Sequence, residues 1–294
     1  MQLLEMSMVM IAGRSRDIGL EMEAIVERPT WAPKGVRLDQ PSMARVYDYL
    51  LGGSHNSAAD RHVAGQMLEA MPDVADAARG NRAFLRRAVR FLVNAGVRQF
   101  LDLGAGIPTA GNVHEIAQGL APDACVVYVD VDPVAVAHSR VLLAGNDRAV
   151  AVQADVQEPD RIFASRQVGR LLDLEAPVGL LMVAILHAIP DSDDPAGLVG
   201  RYRDTVAAGS YLAISHPATD SRAEEVAKLQ TISRRLPTEE VTPRSHERIS
   251  TFFAGFELVD PGLVWVPQWH PDTDDEPNPQ PERSTIYGGV GRKP

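Results

Sequence analysis

The run Val178-Gly-Leu-Leu-Met-Val-Ala-Ile-Leu186 constrains the fold more than any other stretch of the 294-residue chain. It is apolar at consecutive positions, so neither face can be left to water, yet it is far shorter than the roughly 18 residues of a membrane span. A strand buried on both faces needs helices on both sides, which is the setting of a central parallel strand.

The flanking sequence supplies those helices. Strands are predicted over 99–103, 125–131, 149–154 and 211–215, alternating with helices over 112–120, 133–144, 160–174 and 195–208. Asp132 and Pro133 read as an N-cap and a proline at the first helical position. The pattern is that of an α/β protein with a doubly wound, mostly parallel sheet. Further on, Ser221-x-x-Glu224 reads as a capping box opening a helix to Leu236, and Pro243 to Phe253 as another helix. Strands follow over 256–259, 263–269 and 286–290 with no long helix between the last two, so an antiparallel hairpin is expected at the sheet edge. The acidic, proline-rich stretch 271–281 reads as a solvated surface loop.

Upstream of the sheet, residues 1–40 lack periodicity and are expected to be a flexible leader. Helices over 42–51, 58–71 and 75–94 form an N-terminal helical cap or lid spanning 41–96, and 97–294 forms the core. Tyr47, Asn56 and Asp60 surround the Gly52-Gly53 break, a composition expected of a lid. Arg79, Arg82, Arg86 and Arg90 share one helical stripe that reads as a solvated face, with Arg82 set apart as a grip on an anionic acceptor.

Charge and cysteine usage narrow the function classes. Twenty-nine basic against 39 acidic residues give a net charge of −10, which argues against a broad nucleic-acid or anionic-membrane surface. The single cysteine, Cys125, excludes an intrachain disulfide and reads as a small buried hydrophobe. No histidine and cysteine spacing suggests a metal site. Met1 to Ile11 carries Glu5 and no basic n-region, so no secretion signal is expected and the cytoplasm is the expected compartment. Trp265 and Trp269 read as core or edge cover.

The sharpest chemical signal is Asp102-Leu-Gly104-Ala105-Gly106, placed between a strand and a helix. Glycines there let the backbone approach a ligand, and the helix start offers free N–H groups. Dinucleotide binding calls for G-x-G-x-x-G, whereas this chain reads Gly104-x-Gly106-x-x-Thr109. From Gln99 to Ser139 there is no lysine or arginine, while Asp102, Glu115, Asp123, Asp130 and Asp132 are present. A pyrophosphate would meet carboxylates there; a ligand bearing a sulfonium and an ammonium would be attracted. In Tyr128-Val-Asp130-Val131-Asp132, Asp130 ends the second strand, where a carboxylate can accept both ribose hydroxyl hydrogens; Asp132 reads as a helix cap. Asp155 ends the third strand and can accept from an adenine amine while Val156 covers the ring.

These motifs resemble those of class I S-adenosylmethionine-dependent methyltransferases. The cap sequence Ala44-Arg-Val-Tyr47-Asp-Tyr-Leu-Leu-Gly52-Gly53, with Asn56, Ala59-Asp60-Arg61 and Asn81-Arg82-x-Phe84-Leu85, is similar to an uncharacterised actinobacterial branch of them. The resemblance implies a Rossmann-like seven-stranded sheet with the last strand antiparallel, S-adenosylmethionine as cofactor and S-adenosylhomocysteine as product. It places Asp102, Gly104, Ala105 and Gly106 at the methionyl end, Asp130 and Val131 at the ribose, Asp155 and Val156 at the adenine, and Ala184 at the end of the fourth strand. His187, just beyond, is a candidate proton acceptor. No Asn/Asp-Pro-Pro-Tyr/Trp stretch follows that strand, which disfavours methylation of a DNA base and leaves a small-molecule acceptor. Rival readings are an NAD-dependent oxidoreductase and a non-catalytic S-adenosylmethionine-binding regulator.

Overall fold

The computed structural model describes residues 32–33, 36–108, 111–236, 241–272 and 278–294. Most of the expected leader, Thr109 in the glycine turn, and the middle of the 271–281 loop lie outside them.

Five parallel strands build the centre: β1 (Gln99–Leu103), β2 (Cys125–Asp130), β3 (Ala149–Gln153), β4 (Gly179–Val183) and β5 (Tyr211–Pro217). Three more follow: β6 (Glu257–Leu258), β7 (Val264–Trp265) and β8 (Ile286–Arg292). The order is β3-β2-β1-β4-β5-β8-β6, with β7 pairing β8 off that path. The order reverses beside β1, so β1 and β4 part toward opposite crossovers and open a crevice at their carboxyl ends.

The doubly wound sheet is therefore present, with eight strands rather than seven. The expected hairpin is also present, since Trp265 stands opposite Tyr287, but β8 lies inside the sheet between β5 and β6, not at its edge. β7 is two residues long because Pro267 cannot donate to a ladder, and the chain turns into a 3-10 segment over Val266–Gln268.

Helices α1 (Met43–Leu50), α2 (Ala58–Ala70) and α3 (Val74–Asn94) precede the sheet; α4 (Val113–Leu120) follows β1 and α5 (Pro133–Leu142) follows β2. The helix expected over 160–174 is two short ones, α6 (Pro159–Phe163) and α7 (Arg166–Leu171). α8 (Pro195–Thr205), α9 (Ala223–Ser233) and α10 (His246–Ser250) complete the set, the last continuing as a 3-10 turn over Thr251–Phe253. Two sequence readings fail locally. Arg222, left-handed at φ +48°, stands at the N-cap of α9 with no side-chain cap, and the Ser221 hydroxyl donates instead to the Glu282 carbonyl. Cys125, at the first position of β2, is half-buried rather than buried.

Both sheet faces are covered. Leu101, Leu103, Val127, Val129, Leu180 and Ile214 share one core with Tyr202 and Phe252. Phe100, Val126, Leu181 and Ala213 share the other with Phe84, Leu85, Val89 and Leu92 of α3 and with Trp269. Thus α3 belongs to the sheet layer, while α1 and α2 pack with Leu229, Ile232 and Leu236 from α9 and beyond. Burying side chains of this size is the dominant stabilising term, about 1.5–3 kcal/mol for each large aliphatic or aromatic group.

Candidate active site

Three acids step diagonally across the carboxyl ends of the first three strands. Asp102 is level with Tyr128, so Asp130 lies two residues further along; Asp130 is level with Gln153, so Asp155 lies two further again. With about 3.3 Å per residue along a strand and about 4.8 Å between strands, each step is roughly 8 Å. A diagonal of this kind suits an elongated ligand with three polar stations.

The turn after β1 is built by two glycines with different duties. Gly104 has φ +74°, and a Cβ there would come within 2.5 Å of the Ile185 side chain. Gly106 has φ +68°, and a Cβ there would meet nothing within 4 Å, so its outer side faces open space. Both need the left-handed region that glycine tolerates, but only Gly106 leaves room for a ligand. Ala105 donates its N–H to the Val129 carbonyl, as Gly104 does, which pins the turn to β2.

Asp130 accepts from the backbone N–H of Gly106 at 2.7 Å and from that of Asp132 at 2.8 Å. Burial is the largest influence on it and raises its pKa to about 6, against the pull of those N–H groups. Asp102 is 5% exposed and accepts no hydrogen bond among the described residues. Burial raises its pKa to about 7, opposed by the Arg82 guanidinium and reinforced by Asp130. Asp102 lines a narrow recess with Arg82, Ala105, Gly106, Asn112 and Tyr128. Arg82 reaches this recess from α3, so the crevice carries a cation as well as carboxylates; reading 99–139 alone could not reveal that.

Asp132 caps α5 by accepting from Val134 N–H at 2.7 Å, as its sequence position indicates. Val131, 57% exposed, stands free beside Asp130. Asp155 accepts from Gln157 N–H at 2.8 Å, while Val156 packs on the core and its carbonyl accepts from the buried Tyr202 hydroxyl at 2.7 Å. Glu115 accepts from the N–H groups of Gly111 and Asn112 at 3.0 and 2.8 Å, so the N-terminus of α4 receives an anion from its own chain. That weakens the case for a pyrophosphate there.

Beyond β4, Ala184 holds φ +55°, a region that costs a residue with a Cβ about 1–2 kcal/mol, and donates its N–H to the Ser215 carbonyl at 3.1 Å. His187 follows in a 3-10 turn; its Nδ1 is buried with no hydrogen-bond partner among the described residues. Burial lowers its pKa to about 4, helped by the Arg244 guanidinium. His216 is structural: Nδ1 faces the Pro217 carbonyl at 2.8 Å, and Arg244 donates to Nε2 at 2.9 Å. Burial, first, and the neighbouring His187 depress its pKa strongly.

The cap residues divide. Tyr47 accepts from Asn81 at 3.0 Å, and Asn81 accepts from Ser215 at 2.5 Å, a relay from α1 through α3 to the end of β5. Asn56 donates to Asp48 and to the Gly53 carbonyl, and Asp60 accepts from Ser42 N, Arg45 Nε and Ser57 N. Asn56 and Asp60 thus serve the cap's own packing. Ser42 also donates to Asp132 at 2.6 Å, which ties the cap to the second strand's loop.

Residues 29–294 match the profile of a family described as S-adenosyl methyltransferase. The chain belongs to that family. Its cofactor is S-adenosylmethionine, and the class of enzyme is the methyltransferases. A crystal structure of a candidate methyltransferase from Thermobifida fusca YX is similar at 40% identity and a TM-score of 0.85, over 90% of this chain and 99% of that one. A DUF574 family protein from Streptomyces avermitilis MA-4680 is similar at 39% identity and a TM-score of 0.84, over 88% of this chain and all of the other. No curated protein matches the chain. Among the described residues no helix is long and apolar enough to cross a membrane.

Proposed function

We propose that this methyltransferase holds S-adenosylmethionine along the acid diagonal and methylates a small molecule in the cytoplasm. Asp102 receives the methionyl ammonium, Asp130 the ribose hydroxyls beside Val131, and Asp155 with Val156 the adenine. The observation that carries the reading is Asp102, a buried carboxylate with no hydrogen-bond partner among the described residues, beside a glycine whose outer side is open. A desolvated carboxyl that sits near 7 gains most from a cationic partner. When bound, the cofactor supplies an electrophilic methyl on a sulfonium.

The chain's own part is alignment and exclusion of water, which supply most of what an in-line displacement requires. Ile185 over Gly104 and the strained Ala184 shape the wall at the end of β4. His187 is neutral at physiological pH and too weak a base to hold the proton of an alcohol. It acts instead as a hydrogen-bonding wall for an acceptor that carries its own nucleophilic lone pair, such as an amine or a phenolate. The net charge of −10 supports an acceptor other than nucleic acid.

Calorimetric titration with S-adenosylmethionine, S-adenosylhomocysteine and NAD tests the proposal. One-to-one binding of the first two with no heat from NAD is expected; tight NAD binding alone would overturn it.

A further inference from the structure

We propose that Arg82 binds the α-carboxylate of the cofactor's methionyl end, so that Arg82 and Asp102 together form a receptor for an amino-acid zwitterion. The inference rests on the cofactor reading above and adds a residue to it.

The two side chains line one recess and act on each other, since the guanidinium holds the Asp102 pKa down against burial. Yet they form no ion pair, and among the described residues neither has a hydrogen-bond or salt-bridge partner elsewhere. Other arginines of α3 are committed. Arg79 pairs with Asp76, Arg90 pairs with Asp272, and Arg87 donates to the carbonyls of Trp269 and Val266. Arg86 points to solvent. Arg82 alone among these five is turned inward, half-buried and uncommitted. Its charge also reaches the hydroxyls of Tyr47 and Tyr128, which places it between the cap and the glycine turn.

Two opposite charges in a partly desolvated recess would ordinarily close on each other. Held apart, they match a ligand that carries both complementary charges on one carbon atom. An anionic acceptor fits Arg82 less well, because its charge would stand beside Asp102 with nothing to offset the repulsion. A methionyl carboxylate brings its own ammonium, and the planar guanidinium suits it in bidentate fashion.

The test compares S-adenosylhomocysteine with its decarboxylated counterpart, which keeps the ammonium, the thioether and the adenosine. Calorimetry on the full-length protein should show the wild type preferring the carboxylated compound by at least about tenfold, the scale of a charge-assisted pair. Arg82→Gln should reduce that preference to below about threefold by weakening S-adenosylhomocysteine while leaving the decarboxylated compound nearly unchanged. Arg82→Lys, which keeps the charge but not the fork, should fall between and serves as the readout if Arg82→Gln does not fold. Equal affinity of the wild type for both compounds would overturn the Arg82 assignment while leaving the cofactor site intact, as would a full preference retained in both variants. Failure of the wild type to bind either compound would sink the cofactor reading and this inference with it.

Discussion

The backbone N–H of Gly106 donates to Oδ2 of Asp130 across 2.7 Å, joining the turn after β1 to the end of β2. With the Asp132 N–H on Oδ1, this uses two of the roughly four acceptor sites of a carboxylate. The turn after β1 and the end of β2 are therefore built as one piece.

Replacing Asp130 by alanine removes the tether of the glycine turn and, on the proposed cofactor reading, the acceptor of the ribose diol. S-adenosylhomocysteine binding should weaken by about 1.5–3 kcal/mol, the range for hydrogen bonds to a charged group. Calorimetry at pH 8, where the wild-type carboxyl is ionised, gives the measurement; unchanged affinity would remove Asp130 from the site.

Asp102 makes the pH dependence specific. Its pKa is raised from the ordinary carboxylate value to about 7, so the folded apoprotein binds a proton there that the unfolded chain has already lost. Stability of the apoprotein should fall as pH rises from about 4 to about 7, because over that window the native state binds more protons. Cofactor affinity should move the other way, strengthening up to pH 8 with release of up to one proton. Asp102→Asn should reduce that proton release to the smaller share Asp130 supplies and weaken binding, yet raise the melting temperature of the apoprotein at pH 8 by at least about 2 °C, since 1 kcal/mol corresponds to a few degrees. Calorimetry in buffers of different ionisation enthalpy and thermal unfolding read the two effects; a variant less stable than wild type at pH 8 would contradict the assignment.

Much of this architecture is legible along the chain because it is local. Alternating periods, the proline after Asp132 and the acids at strand ends are each written within a few residues of the element they define. The turn glycines are legible too, but Ile185 above Gly104 is not, since it arrives from another strand. Spacing puts Arg82 on a largely solvated stripe and the motif around it sets it apart as a grip on an anionic acceptor, but only the docking of α3 against the sheet brings it to the recess that Asp102 lines. The motif around Asp60 is legible, but its three donors come from Ser42, Arg45 and Ser57, a partner set that spacing does not encode. Ser221 and Glu224 had capping-box spacing, but Arg222 takes the N-cap position and the Glu282 carbonyl takes the serine hydroxyl. Tyr202 carries no motif at all, and its contact with Val156 follows from helix packing.

That contact gives a third prediction. The Tyr202 hydroxyl donates to the Val156 carbonyl at 2.7 Å and anchors the loop that begins with Asp155. Tyr202→Phe keeps the ring in the core and removes only the donor, at a cost of about 0.5–1.5 kcal/mol in stability. Adenosine affinity should drop severalfold while kcat at saturating cofactor stays within about twofold, because the hydroxyl acts on the loop and not on the transferred methyl. Urea unfolding and competition binding measure the two; a fall in kcat with unchanged affinity would mean that Tyr202 acts elsewhere.

The cap poses the last case. Asp60 and Arg45 are both buried, with side-chain exposures of 0% and 4%, and pair at 2.8 Å. Removing Asp60 leaves the Arg45 charge in a desolvated site with only Asp132, at 3.9 Å, to offset it, so Asp60→Ala should cost about 3 kcal/mol, more than any exposed pair on the surface. Replacing both by apolar groups of similar size, Arg45→Met with Asp60→Leu, takes away the orphaned charge but also leaves the N–H groups of Ser42 and Ser57 unpaired. The double variant should therefore recover only part of the loss, and denaturant unfolding of the two variants and wild type separates the charge from the hydrogen bonds. Full recovery would show that the backbone donors find water, whereas a single variant costing under about 1 kcal/mol would mean that the cap opens enough to hydrate Arg45.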